Sequence, residues 1–172
     1  NKLKNQIDYH DLKYNDQIER IMIFLIKENL LDDNYNLSKL GRIVAEVNEC
    51  NPLLLGYILN NQILNDLEFS EIIALLSTFI KDDSNNDLRI QNLEISENLK
   101  NLMYDLSDYA DKLYNYENKI NHFIPFTIWS NWDLYLNLFI PSKLWAEGKQ
   151  WIDIKKNYDS YEGNFVKNIL RL

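Results

Sequence analysis

Apolar positions recur along this chain at helical spacing. Ile18, Ile21, Met22, Leu25 and Ile26 form one stripe across residues 16–28. Leu40, Ile43, Val44 and Val47 form a second, with Ser38 placed to cap its start. Asn51-Pro52 opens a third helix, because Asn caps well and Pro at the first helical position loses no needed N–H. That helix carries Leu54, Leu55, Ile58 and Leu59. A fourth begins near Glu68, with Glu71 in its first turn favoured by the helix dipole and a stripe from Phe69 to Ile80. After the polar loop Lys81–Asp87, Leu99, Leu102, Met103, Leu106, Ala110 and Leu113 predict a long helix over roughly 96–115. An aromatic stretch, 123–139, follows, and Pro125 and Pro141 should mark helix starts or a kink. The last 28 residues read as two short helices joined by a tight turn, with Gly148 ending a helix in the left-handed conformation. The expected fold class is all-α: a helical bundle of six to eight helices, with room for one small β-hairpin near 31–38.

Composition narrows this picture. Four glycines and three prolines are too few for a β-sandwich, which needs a turn signal every ~8–12 residues. The longest strictly apolar run, Ile21–Ile26, is far short of the ~20 residues that cross a bilayer, so no membrane partner is expected. Cys50 is the only cysteine and no signal peptide is visible, which predicts an intracellular protein, in nucleus or cytoplasm, rather than a secreted one. One Cys and the distant His10 and His122 make no recognisable metal site. The chain starts Asn-Lys-Leu and ends on an apolar residue within a helical pattern, so it reads as a piece of a longer protein.

Catalysis finds little support. Gly148-Lys149 is followed by Gln150 and lacks the upstream Gly of a phosphate-binding loop, and neither His has a nucleophile near it in sequence. Net charge is −8, which argues against a free-standing nucleic-acid binder. The charge is uneven, however. Residues 141–172 hold six Lys/Arg and four Asp/Glu, a net of +2, which leaves −10 on the remainder. In the terminal helix Asn164, Lys167, Asn168 and Arg171 follow at i, i+3, i+4 and i+7 and so share one face, while Phe165, Ile169 and Leu172 line another. Such a helix packs by one side and offers amides and cations to a phosphodiester strand on the other. The competing reading is that Lys167 and Arg171 offset the helix dipole. Trp145 and Trp151 have faces on which bases stack, but tryptophans in an apolar stripe read better as core.

Several short blocks carry a family resemblance. Gly41-Arg42-Ile-Val-Ala45-Glu46 precedes Leu53-Leu54-Leu55, then Asn60-Asn-Gln-Ile-Leu-Asn65-Asp66-Leu67, then Ala74-Leu75-Leu76-Ser77 with Phe79. Trp145-Ala-Glu-Gly148 and Tyr161-Glu162-Gly163 follow, and the series ends at Arg171-Leu172. In this order they resemble the C-terminal helical (DSHCT) domain of the exosome-associated DExH-box RNA helicases, of the superkiller and mRNA-transport type. The resemblance covers about residues 17–172 and is strongest across 38–80 and 145–172. It implies that residues 1–48 are the tail of a winged helix and its junction, and 49–172 the bundle. It implies a non-catalytic domain with no cofactor of its own, ATP and Mg being held by motor domains of the parent helicase. Single-stranded RNA, the motor and winged-helix domains and the RNA-exosome machinery are the implied partners. Carried over by position, the RNA contacts are Arg171 and Lys167, with an acidic contact at Asp83 or its neighbour Asp82. Departures are Ile140-Pro141, where the family has an unbroken helix, and Lys167, where Arg is common and offers a planar fork. The alternative function is a helical protein-interaction module with no nucleic-acid role. A DNA-binding helix-turn-helix over 149–172 is a weaker rival, given the negative charge.

Overall fold

The computed structural model describes residues 2–48, 50–60, 62–82, 84, 88–120 and 132–172. Among them are eight α-helices and no β-strand. Leu31 and Leu37 form one isolated antiparallel bridge, so the expected hairpin is reduced to a tight turn. The carboxylate of Asp32 closes that turn by accepting the backbone N–H groups of Asn34 and Asn36, both at 2.9 Å. These bonds, the Asn36 N–H above all, hold the Asp32 carboxyl below its usual range. The aromatic segment read as 123–139 lies mostly outside the described residues, as does Pro125.

The chain divides into two compact units, residues 1–47 with 112–130, and residues 48–111 with 131–172. In the first, α1 (Lys2–Lys27) ends in a turn and α2 (Lys39–Ala45) follows. Helix α1 is longer than its apolar stripe, and within it Phe24, outside the stripe, is buried while Ile18 is exposed. Ser38 caps α2 as the sequence predicts: its Oγ accepts the Gly41 N–H at 2.9 Å. Gly41 is obligatory for a different reason. A Cβ there would stand 2.0 Å from the Leu30 carbonyl oxygen, so only glycine lets α2 approach this close. The same unit contains the last turns of α5 (Glu97–Ile120), where Tyr116 stacks on buried Phe24 with ring centroids 4.8 Å apart.

The second unit holds α3 (Pro52–Asn60), α4 (Phe69–Ser77), the first part of α5, α6 (Phe139–Ala146), α7 (Trp151–Ile154) and α8 (Glu162–Ile169). Asn51 Oδ1 accepts the N–H groups of Leu53 at 3.1 Å and Leu54 at 3.2 Å, the cap expected before Pro52. Glu68 and Glu71 form a capping box on α4. Glu71 also accepts the Ser96 N–H at 2.9 Å, which fixes the chain just before α5. Leu54, Ile58, Ala74, Leu75, Leu99, Leu102, Met103 and Leu106 are almost wholly buried and form the interior of this unit. Helix α6 packs along α4. Pro141 lies in its first turn, where a missing N–H costs nothing, so it starts the helix rather than kinking it. Gly148 ends α6 with φ +78°, the left-handed stop read from the sequence.

Candidate nucleic-acid interface

The C-terminal segment packs around one small apolar cluster. Ile80, Leu138, Ile154, Tyr158 and Phe165 are buried together, with Leu144, Trp151 and Ile169 against them. The rings of Trp151, Tyr158 and Phe165 meet pairwise with centroids 5.6–6.3 Å apart, in tilted and edge-on arrangements that aromatic quadrupoles favour. Three short elements, α7, the 3-10 turn Lys155–Asn157 and α8, are too brief to be stable alone. Their order comes from this cluster and from one carboxylate.

That carboxylate is Asp82. Its Oδ1 accepts the Tyr158 hydroxyl at 2.9 Å and the Asn168 amide at 2.6 Å. Its Oδ2 accepts the Ser84 N–H at 3.0 Å, an Asx-type turn. The Asn137 amide donates to the carbonyls of Asp82 and Ser84, tying in the approach to α6. A single ionised side chain after α4 thus fastens α8 and the strand-like segment before it. Tyr158 responds to its surroundings: burial first, and then the Asp82 carboxylate, push its phenol up to about 12.

This network corrects one expectation and engages the residue of another. Asn168 is not on the solvent face with the other amide and the cations; it is buried, and its amide is spent on Asp82. The helical wheel explains why. Asn168 is three residues from Phe165 and so lies only about 60° from it, at the border between the polar and apolar sides. With a carboxylate on the inside, the border residue turns inward. Asp82, one of the two candidate acidic contacts, likewise spends its oxygens within the fold. Asp83, the other, lies outside the described residues.

Asn164, Lys167 and Arg171 are exposed, as the wheel predicts. Asn164 donates to the Ser160 hydroxyl at 3.0 Å and so stays near the helix start. Arg171 follows the last turn, its N–H bonded to the Asn168 carbonyl at 3.1 Å. More cations stand nearby in sequence. Lys155 and Lys156 are exposed on the 3-10 turn, and Lys156 pairs with Asp153 at 2.7 Å, holding that carboxyl below its usual range. They line a cleft of about 440 Å³ together with Tyr158 and Ser160. Neither lysine was singled out from the sequence, where they look like ordinary surface charge.

The tryptophans divide. Trp151 is half-buried against Phe165, as expected of core. Trp145 is 45% exposed, contrary to its core reading, and edges an apolar groove of about 290 Å³ with Val166, Ile169 and Leu170. Val166 and Leu170 fall on a third side of α8 that the two-face reading did not separate.

Among the described residues no group of His, Cys, Asp and Glu is arranged to hold a metal, and no helix is long and apolar enough to cross a membrane. What the described residues define is an all-α domain closed by a short, internally fastened helix that presents Lys167 and Arg171 to solvent. The sequence profile of the DSHCT (NUC185) domain matches residues 34–172. The chain therefore belongs to that family, the C-terminal domain of DExH-box helicases. Comparison with curated proteins finds no match.

Proposed function

We propose that this chain is the non-catalytic C-terminal accessory domain of an ATP-dependent RNA helicase, and that it closes one side of the RNA channel and guides the unwound strand. The observation that carries the reading is family membership combined with the placement of Lys167 and Arg171, exposed on a helix that Asp82 holds from behind. Phosphate contact by exposed cations needs no base recognition and suits a strand that moves through the site. ATP and Mg belong to motor domains of the parent. Residues 1–48 are read as the tail of a winged helix, and RNA-exosome machinery as a further partner.

The test is RNA unwinding by the intact helicase carrying Lys167→Ala and Arg171→Ala. Removing two exposed phosphate contacts should weaken RNA binding roughly fivefold to thirtyfold, at about 0.5–1 kcal/mol each. Thermal stability should change by no more than an ordinary surface substitution, about 0.5 kcal/mol each. Wild-type binding and unwinding would remove both residues from the interface. That outcome would favour the second reading, a protein-interaction module, to which the exposed apolar side of α8 at Val166 and Leu170 lends support.

A further inference from the structure

The first unit holds a cleft that the C-terminal interface does not use. It has a volume of about 370 Å³ and lies between the end of α1 and the last turns of α5. Three lysines line it, Lys27 from α1 and Lys112 and Lys119 from α5, against one acid, Glu28. This is a local excess of cations in a unit that is otherwise balanced. Residues 1–47 and 112–130 hold nine Lys/Arg and nine Asp/Glu, while the rest of the chain holds nine and seventeen.

Glu28 is engaged by Lys112 at 3.3 Å, and its side chain is only 13% exposed against 57% for the lysine. Among the lining residues no second acid faces Lys27 and Lys119. One wall is stiff: Tyr116 stacks on Phe24 and donates its hydroxyl to the Arg20 carbonyl at 3.3 Å. On α5, Lys112, Asn115, Tyr116 and Lys119 fall at i, i+3, i+4 and i+7, one continuous face. Lys112 and Lys119 are two turns apart, about 10 Å along the axis. Cations spread over that length suit a chain of phosphates better than a single compact anion, and Asn115 between them is a donor for a phosphate or ribose oxygen.

We propose that this cleft binds the phosphate backbone of single-stranded RNA, as a second contact separate from Lys167 and Arg171. The proposal rests on the reading of the chain as part of an RNA helicase. The experiment is a titration of the intact protein with labelled oligouridylate over a range of salt, using Lys27→Ala/Lys119→Ala. Lys112 is left in place so that Glu28 keeps its partner. The alanine pair should lose about tenfold in affinity at low salt, and the slope of log affinity against log salt should become shallower by about 1.4, from ~0.7 for each of two lost contacts. Lys27→Arg/Lys119→Arg should restore both, and the thermal midpoint should match the parent in each case. If the alanine pair binds as the parent does while Lys167→Ala/Arg171→Ala weakens binding, the cleft proposal is wrong and the terminal-helix reading stands. If neither pair changes binding, the RNA reading itself falls. Inorganic phosphate, added at matched ionic strength, distinguishes a free-anion site. If it raises the thermal midpoint of the parent but not of the alanine pair, while both bind RNA equally, the cleft takes a free anion rather than a strand, and the proposal is overturned.

Discussion

Asp82→Ala is the perturbation with the clearest structural consequence. It removes an ionised acceptor from two buried donors, the Tyr158 hydroxyl at 2.9 Å and the Asn168 amide at 2.6 Å, and from the Ser84 N–H at 3.0 Å. Tyr158 is 3% and Asn168 8% exposed, so neither donor is readily satisfied by water in the native arrangement. A hydrogen bond to a charged group contributes about 1.5–3 kcal/mol, and a stranded buried donor costs a similar amount. Asp82 itself is only partly buried, so some water reaches the vacated space and the lower end applies. Two side-chain bonds then give a loss of about 3 kcal/mol. For a chain of this size that corresponds to a fall in Tm of roughly 6–12 °C. Asp82→Asn keeps one acceptor and should cost about half as much. Urea unfolding followed by tryptophan fluorescence measures the loss, and Trp151, packed beside Tyr158 and Phe165, reports on the region concerned. A loss below about 0.5 kcal/mol for Asp82→Ala, within the range of an ordinary surface change, would refute the argument that this carboxylate fastens α8. Tyr158→Phe and Asn168→Ala, combined with Asp82→Ala, should be strongly non-additive, since each removes part of the same network.

Further consequences follow from the same structure. Tyr158 has a folded pKa of about 12, above the value of about 10 for free tyrosine. Its contribution to stability is therefore complete below pH 10 and is lost as pH rises towards 12; spectrophotometric titration should show one tyrosine ionising later than the rest, together with alkaline unfolding. Gly41→Ala drives a Cβ to 2.0 Å from the Leu30 carbonyl and should destabilise by about 1–3 kcal/mol, read as a lower urea midpoint. Gly148→Ala meets no neighbour but must hold φ +78°, so it should cost about 1 kcal/mol, from backbone strain alone.

Much of this architecture is legible in local sequence because its rules are local. Ser38, Asn51-Pro52 and the Glu68–Glu71 pair act within three residues of themselves, and the structure uses each as a helix start. Gly148 likewise needs only its own backbone. The long α5 announces itself by an unbroken stripe, although its end at Ile120 lies beyond the last clear apolar position. What could not be read depends on partners far along the chain. Asn168 is polar and shares its helical spacing with Asn164 and Arg171, and only a carboxylate 86 positions earlier draws it inside. The cleft lysines come from segments as distant as Glu28 and Lys112, 84 residues apart, and each alone looks like solvated charge. Trp145 shows the converse: an apolar side chain in a core-like pattern that is left at the edge of a groove. Helical spacing decides which residues share a face. Whether a border position turns in or out is decided by what stands opposite.

The central claim is that α8 and the residues just after it lie against RNA in the working helicase. Site-directed photocrosslinking tests it most directly. The intact protein is irradiated on single-stranded RNA carrying 4-thiouridine, and the crosslinked peptides are mapped by mass spectrometry. The account predicts crosslinks within residues 160–172, reduced by Lys167→Ala/Arg171→Ala. Crosslinks confined to other parts of the protein, and unchanged by that pair, would contradict it.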